Sequence, residues 1–239
     1  MGNLIQNQAI IHNNITDIEN ISYGTLNFSN INNDRVHKNH NYIYNKFSHK
    51  YRNLKLLHQN LQGFCNKTDE FLNSLSSNSP QVICITEHHS KMEKLVNVNF
   101  GYYTLGAFFC RQTYKHRGVC ILVPKKIQYF TIDLDKFNME KDFEVCALKL
   151  NFLSNSFTII CLDRSPTGNF SCFIDQLESL LNKIYKISDE LILCDDFNIN
   201  YLKNSSMKDL LYSTVNFPTR ITNSSSTLID NFFINTYRN

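Results

Sequence analysis

Four stretches of this sequence break from apolar residues into groups that can handle a phosphate and a divalent cation. In Leu191-Ile192-Leu193-Cys194-Asp195-Asp196-Phe197-Asn198 an apolar run ends in two carboxylates, an apolar residue and an amide. A short apolar run reads as a buried strand. Side chains alternate faces along a strand, so Asp196 and Asn198 leave its end on one side and Phe197 on the other. Alone, the pattern also describes a strand running into an Asx-type turn. Recurrence gives it weight. Leu54–Asn60 ends in Asn60, Val82–Thr86 runs into Glu87-His88-His89, and the strand entered through Thr227 carries Asp230. A hard cation such as Mg²⁺ takes oxygen ligands, usually one or two carboxylates with water and substrate phosphate. Glu87 and Asn60 can supply such a shell, and the Asp196/Asn198 pair suits metal-assisted phosphoryl chemistry.

These groups need elements that bring strand ends together. Leu54–Asn60 reads as a strand, Asn66 as the cap of a short helix with apolar face Phe71, Leu72 and Leu75, and Val82–Thr86 as a buried strand after Pro80. Strand–helix–strand order predicts parallel neighbours with their polar ends at one edge. Antiparallel strands follow at Tyr102–Phe109, Val119–Val123, Ile127–Leu134, Phe143–Leu150 and Phe157–Leu162; the first two flank a basic loop with Arg111, Lys115, His116 and Arg117. After the turn Arg164-Ser165-Pro166-Thr167-Gly168-Asn169, the spacing of Phe173, Leu177, Leu180, Leu181 and Ile184 predicts a helix with one apolar stripe. A short helix around Met207–Leu211 and a last strand over Leu228–Ile234 complete the reading.

With 239 residues, the chain can hold one sizeable core and a tail. Residues 1–50 are Asn-rich without sustained period and read as a disordered tail; residues 51–239 read as the domain. A formal charge of +3 permits a nucleic-acid partner without arguing for one. The eight cysteines form no CxxC pair and mostly sit in strand-like runs, the pattern of reduced thiols and an intracellular location. No apolar run approaches the ~18 residues of a membrane span, and the N-terminus lacks a basic-then-apolar signal pattern.

The ordered set Leu57-His58-Gln59-Asn60-Leu61-Gln62-Gly63, Ile83-Cys84-Ile85-Thr86-Glu87-His88, Gly118-Val119-Cys120-Ile121-Leu122-Val123, Arg164–Phe170, Asp196-Phe197-Asn198-Ile199-Asn200, Pro218-Thr219-Arg220 and Ser226–Asp230 resembles the endonuclease/exonuclease/phosphatase superfamily. The closest resemblance is to the endonuclease domain of non-LTR retrotransposons. It covers roughly Leu54 to Asn235. The resemblance implies an α/β fold, a four-layer α/β/β/α sandwich of two mixed sheets, and Mg²⁺-dependent (or Mn²⁺-supported) cleavage of DNA, with a nuclear location if active. It implies Glu87 and Asn60 on the metal side, Asp196 positioning or deprotonating the attacking water, and Asn198 holding the scissile phosphate. Asp230 would orient a catalytic His, while Arg164 and the Arg111–Arg117 loop, Arg117 included, would contact DNA phosphates.

The sequence departs from that pattern at three places. The glycine preceding Asp-x-Asn is Asp195, and the tyrosine preceding Arg-Ser-Pro is Asp163, an anion expected to repel phosphate. The family's closing strand with its Ser-Asp-His motif has no counterpart before Asn239, and no His follows His116, so the sandwich is expected to miss its last strand and Asp230 to lack its partner. His88 and His89 read as ordinary loop residues. Two functions follow: a target-nicking DNA endonuclease impaired by truncation, or a catalytically inert retrotransposon-derived remnant, at most a weak nucleic-acid-binding module. A reverse-transcriptase region is an expected partner if the chain is part of a polyprotein.

Overall fold

The computed structural model describes residues 21–27, 53–75, 79–152, 155–185 and 190–199, with strand segments at 212–213, 220–221, 226–227 and 230–234. Five strands make the first sheet: β1 (Ile21–Asn27), β2 (Asn53–Asn60), β3 (Val82–Thr86), β4 (Tyr103–Phe109) and β5 (Val119–Pro124), in the order β1-β2-β3-β5-β4. The second contains β6 (Tyr129–Ile132), β7 (Glu144–Phe152), β8 (Asn155–Asp163), β9 (Glu190–Asp196) and β10 (Tyr212–Ser213). After a two-stranded ribbon of β11 (Arg220–Ile221) and β12 (Ser226–Thr227), β13 (Asp230–Ile234) completes it in the order β10-β13-β9-β8-β7-β6. Each sheet is mixed, with one parallel pair: β2 beside β3, and β8 beside β9.

Strand alternation sorts side chains into the layers. Leu54, Leu56, Val82, Cys84, Ile121 and Val123 of the first sheet pack against Leu148, Phe157, Ile159, Cys161, Ile192 and Cys194 of the second. The opposite face of the first sheet, with Leu57, Ile83, Ile85 and Leu122, is covered by Phe71 of α1 (Thr68–Ser74), Leu95 of α2 (Met92–Leu95), and Phe64 and Phe100. The outer face of the second sheet packs on α3 (Phe170–Ile184) through Phe173, Leu177, Leu180, Leu181 and Ile184, the stripe read from spacing. Asn169 caps α3, its side chain accepting from the Cys172 N–H at 3.1 Å. This is the four-layer α/β/β/α sandwich. All eight cysteines are free, and no helix among the described residues is long and apolar enough to cross a membrane.

Two local expectations change and a third is untested. Asn66 ends a 3₁₀ turn, Phe64–Asn66, and Lys67 precedes α1 with no side-chain cap; the Asn66 Oδ1 instead accepts from Lys94 Nζ at 2.8 Å. Ile21–Asn27, within the segment read as tail, pairs antiparallel with β2 from Ile21 opposite Gln59 to Asn27 opposite Asn53. The helix expected around Met207–Leu211 lies outside the described residues.

Candidate functional site

Three of the four core-facing stripes reach the same edge and end in polar groups. On β2 the inter-sheet residues Leu54 and Leu56 are followed, at the same parity, by Asn60; on β8, Phe157, Ile159 and Cys161 lead to Asp163; on β9, Ile192 and Cys194 lead to Asp196. The parallel pairs align these ends, setting Asn60 beside Thr86 and Asp163 beside Asp196. On β3 the stripe of Val82 and Cys84 would deliver Thr86, and Glu87 would turn to the other face. Glu87 takes a left-handed backbone, φ 55°, which redirects it. Among the described residues, six non-glycine positions have positive φ, and five of them (Glu87, His89, His116, Arg117 and Asn198) lie in the loops at this edge. Such strain persists where surrounding bonds over-determine it. Here the Gly63 N–H bonds the Glu87 carbonyl at 3.3 Å, and the His88 and His89 N–H groups bond the Gly118 and Arg117 carbonyls at 3.3 and 3.0 Å.

The result is a buried cluster in which one carboxylate oxygen each from Glu87, Asp163 and Asp196 lies within 4.8 Å of the others. Asn60 Nδ2 donates to Asp196 Oδ2 at 2.7 Å. Arg117 spans the other two carboxylates: Nη1 lies 2.9 and 3.0 Å from the Asp163 oxygens, and Nη2 lies 3.0 Å from Glu87 Oε1. His89 Nε2 is 3.4 Å from Glu87 Oε2 and its ring meets His116 edge-on. Burial pushes the Glu87 carboxyl up, but His89, Arg117 and Asn60 outweigh it and hold it below the usual range. At Asp163 burial dominates, Asp196 adds like charge, and Arg117 only partly compensates, so that carboxyl is raised well above its ordinary value.

The residues fit a hard divalent cation. Their donors are all oxygens, carboxylate or amide, and Asn60 Oδ1 is a buried acceptor without a hydrogen-bond partner among the described residues. A buried acceptor left so is costly, and a cation is one way to satisfy it.

Asn198 follows β9 with φ 53°, and its Nδ2 donates to the Arg164 carbonyl at 2.8 Å. Arg164 lies on the α3 side of β8. Its guanidinium donates to the carbonyls of Phe197 (3.3 Å) and Gly168 (2.6 Å) and stacks near Phe170 and Phe173. It thus ties the turn after β8 to the loop after β9. The backbone register sets Asp230 opposite Asp196, at the same edge.

The basic loop is braced by Glu144, the first residue of β7, and by Glu140 of the β6–β7 connection. Arg111 is buried against Glu144 and donates to Ser165 Oγ at 2.8 Å; Glu144 also accepts from the N–H groups of Gly118 (3.1 Å) and Lys141 (2.9 Å). Glu140 accepts from the N–H groups of Gln112, Thr113 and Tyr114. This frame presents His116 and Arg117 to the cluster. Sequence reasoning missed Asp163 and His89 as neighbours of Glu87. A signal for Asp163 was present, since it continues the parity of Phe157, Ile159 and Cys161.

No protein-family model matches the chain, and no curated protein matches it in sequence. Solved structures do. The endonuclease domain of TRAS1, a telomere-specific non-LTR retrotransposon, superposes with a TM-score of 0.54 at 12% identity, covering 74% of this chain and 83% of that one. D. rerio TDP2, humanized by 14 mutations, gives 0.55 at 13% identity over 75% and 82%. The 3′-5′ exonuclease NExo from Neisseria meningitidis gives 0.51 at 13% over 75% and 86%. The chain has the endonuclease/exonuclease/phosphatase fold.

Proposed function

We propose that this chain is a divalent-metal-dependent phosphodiesterase of nuclease type that nicks DNA, as a retrotransposon endonuclease does, with Mg²⁺ as its cation and Mn²⁺ as a substitute. The observation that carries the reading is the convergence of Glu87, Asp163 and Asp196 within 4.8 Å at the aligned strand ends, with the Asn60 Oδ1 acceptor open beside them. Fold likeness adds company only, because one fold hosts many substrates.

Glu87 and Asn60 would hold the cation, which would supply charge neutralisation at the phosphate and polarisation of its P–O bonds. Asp196, oriented by Asn60, positions the attacking water and accepts its proton. Asn198, fixed by the Arg164 carbonyl, offers its amide to the scissile phosphate. Arg117 is the nearest guanidinium for phosphate charge, and Arg164 holds the two loops that frame the DNA backbone. Asp230 adds an acidic position at the same edge, in the role of an orienting residue. A DNA substrate agrees with action in the nucleus and with a reverse transcriptase as a working partner.

Supercoiled plasmid tests this directly. Incubation with Mg²⁺ should convert it to the open circle, EDTA should stop the conversion, and Asp196→Ala should slow it by about 100-fold or more, the usual scale for a positioned base. Metal-independent cleavage, or no cleavage in Mg²⁺ or Mn²⁺, would overturn the reading, and the second result would leave the inert module.

A further inference from the structure

Asp163 has no part in the hydrolysis just described, yet it completes the carboxylate cluster. It is fully buried at the end of β8, opposite Asp196 in parallel register. Burying carboxylates so close together is expensive without nearby positive charge. The charge within reach is Arg117, whose Nη1 takes both Asp163 oxygens and whose Nη2 takes Glu87 Oε1. A cation held by Glu87, Asn60 and Asp163 would need oxygens that this guanidinium occupies. Cation and guanidinium therefore compete. Arg117 is suited to yield, because it sits in a surface loop with its side chain 15% exposed, whereas Asp163 is locked in a sheet.

Resting on the reading of this cluster as a divalent-cation site, we propose that Asp163 joins Glu87 and Asn60 as a ligand and that Arg117 is a placeholder for the cation, leaving Asp163 and Glu87 when the cation binds and turning to the substrate phosphate. The aspartate expected to repel the phosphate would then help retain the ion that attracts it. Loading the site and freeing the phosphate-binding guanidinium would be one event.

Mn²⁺ binding to the full chain, followed by the loss of the free-ion paramagnetic resonance signal and by thermal shift, separates this from a plain structural ion pair. Asp163→Asn should weaken Mn²⁺ by roughly tenfold or more, since even groups behind a ligand cost that much. Arg117→Gln should bind Mn²⁺ several-fold more tightly, because the competitor is gone. If Arg117→Gln folds only with Mn²⁺ present, the same competition is seen in stronger form. A structural pair predicts that both variants lose stability and keep the wild-type affinity; that result would overturn the proposal. Should Asp163→Asn fail to fold, the Arg117 arm decides: unchanged or weaker affinity sinks the placeholder. Glu87→Gln separates the levels. Mn²⁺ binding that Glu87→Gln weakens and Asp163→Asn does not defeats this proposal alone, whereas a wild-type chain that binds no Mn²⁺ defeats the cation site and this proposal with it.

Discussion

Acid should unlock the turn that carries Glu87, and His88 is where it acts. The His88 ring is buried, with Nδ1 accepting from the Ser90 N–H at 3.0 Å and Nε2 donating to the Phe109 carbonyl at 3.0 Å. That pattern uses a neutral imidazole completely, and a second ring proton would face the Ser90 N–H. Burial dominates, the Phe109 bond opposes it, and His89 adds like charge, so the pKa falls from 6.5 to about 4. The sign follows from which state holds the proton. Between about 6.5 and 4 the unfolded chain is protonated at His88 and the folded chain is not, so stability is full above the unfolded value and drains as pH falls. Each pH unit inside the window costs about 1.4 kcal/mol, and the whole window about 3 kcal/mol. Against a typical stability of 5–15 kcal/mol that is a large share.

Other groups titrate nearby. His58, lowered to about 3 by burial, has the same sign, whereas the raised Asp163 carboxyl gains its proton first in the folded state and has the opposite sign. A difference measurement cancels both. Urea denaturation of wild type and His88→Gln at steps from pH 7.5 to 5 should give a stability gap that shrinks on acidification by about 1.4 kcal/mol per unit below 6.5. The variant keeps a donor near Phe109 and cannot titrate, so it starts less stable and falls less steeply. Parallel curves would refute the argument, showing that His88 charges as easily folded as unfolded.

Gly118→Ala should destabilise by about 3 kcal/mol or more in the same assay, because φ is +95° and a Cβ would stand 2.5 Å from His88 Nε2 and 2.8 Å from the Phe109 carbonyl oxygen. Glu144→Gln breaks a buried pair that also accepts from two backbone N–H groups; it should cost about 3–5 kcal/mol, read by chemical denaturation.

Much of the fold was legible because its signals are local. Period-two runs and the stripe on α3 depend on a few residues each, and the strand breaks at Asn60, Glu87 and Asp196 follow from them. Companions across the fold were not legible. Nothing near Asp163 in the chain announces Arg117, 46 residues away, and a tyrosine expected by resemblance made its carboxylate look misplaced. Resemblance set Arg164 at DNA phosphates, but nothing in its turn announces that its guanidinium also holds the carbonyls of Phe197 and Gly168. The Asn66 cap failed because a 3₁₀ turn consumes the chain before α1 begins. Strand β1 has no clear period of its own; its pairing with β2 supplies what its sequence does not advertise.

Asp195 shows how tightly the site depends on the core. It stands where the resemblance expects glycine, and the cluster contains its neighbour instead. Leu191 and Leu193 pack toward α3 and Ile192 and Cys194 toward the other sheet. Asp195 therefore leaves the strand on the α3 side and Asp196 on the inter-sheet side. A one-residue slip of β9 would exchange them and would also turn Ile192 and Cys194 out of the inter-sheet core. Both faces of β9 are buried, so the slip would not expose these side chains but would seat Leu191/Leu193 and Ile192/Cys194 in each other's layers, a shape mismatch that typically costs about 1–3 kcal/mol. The same alternation that seals the two sheets thus selects which of two adjacent aspartates reaches Asn60 and Glu87.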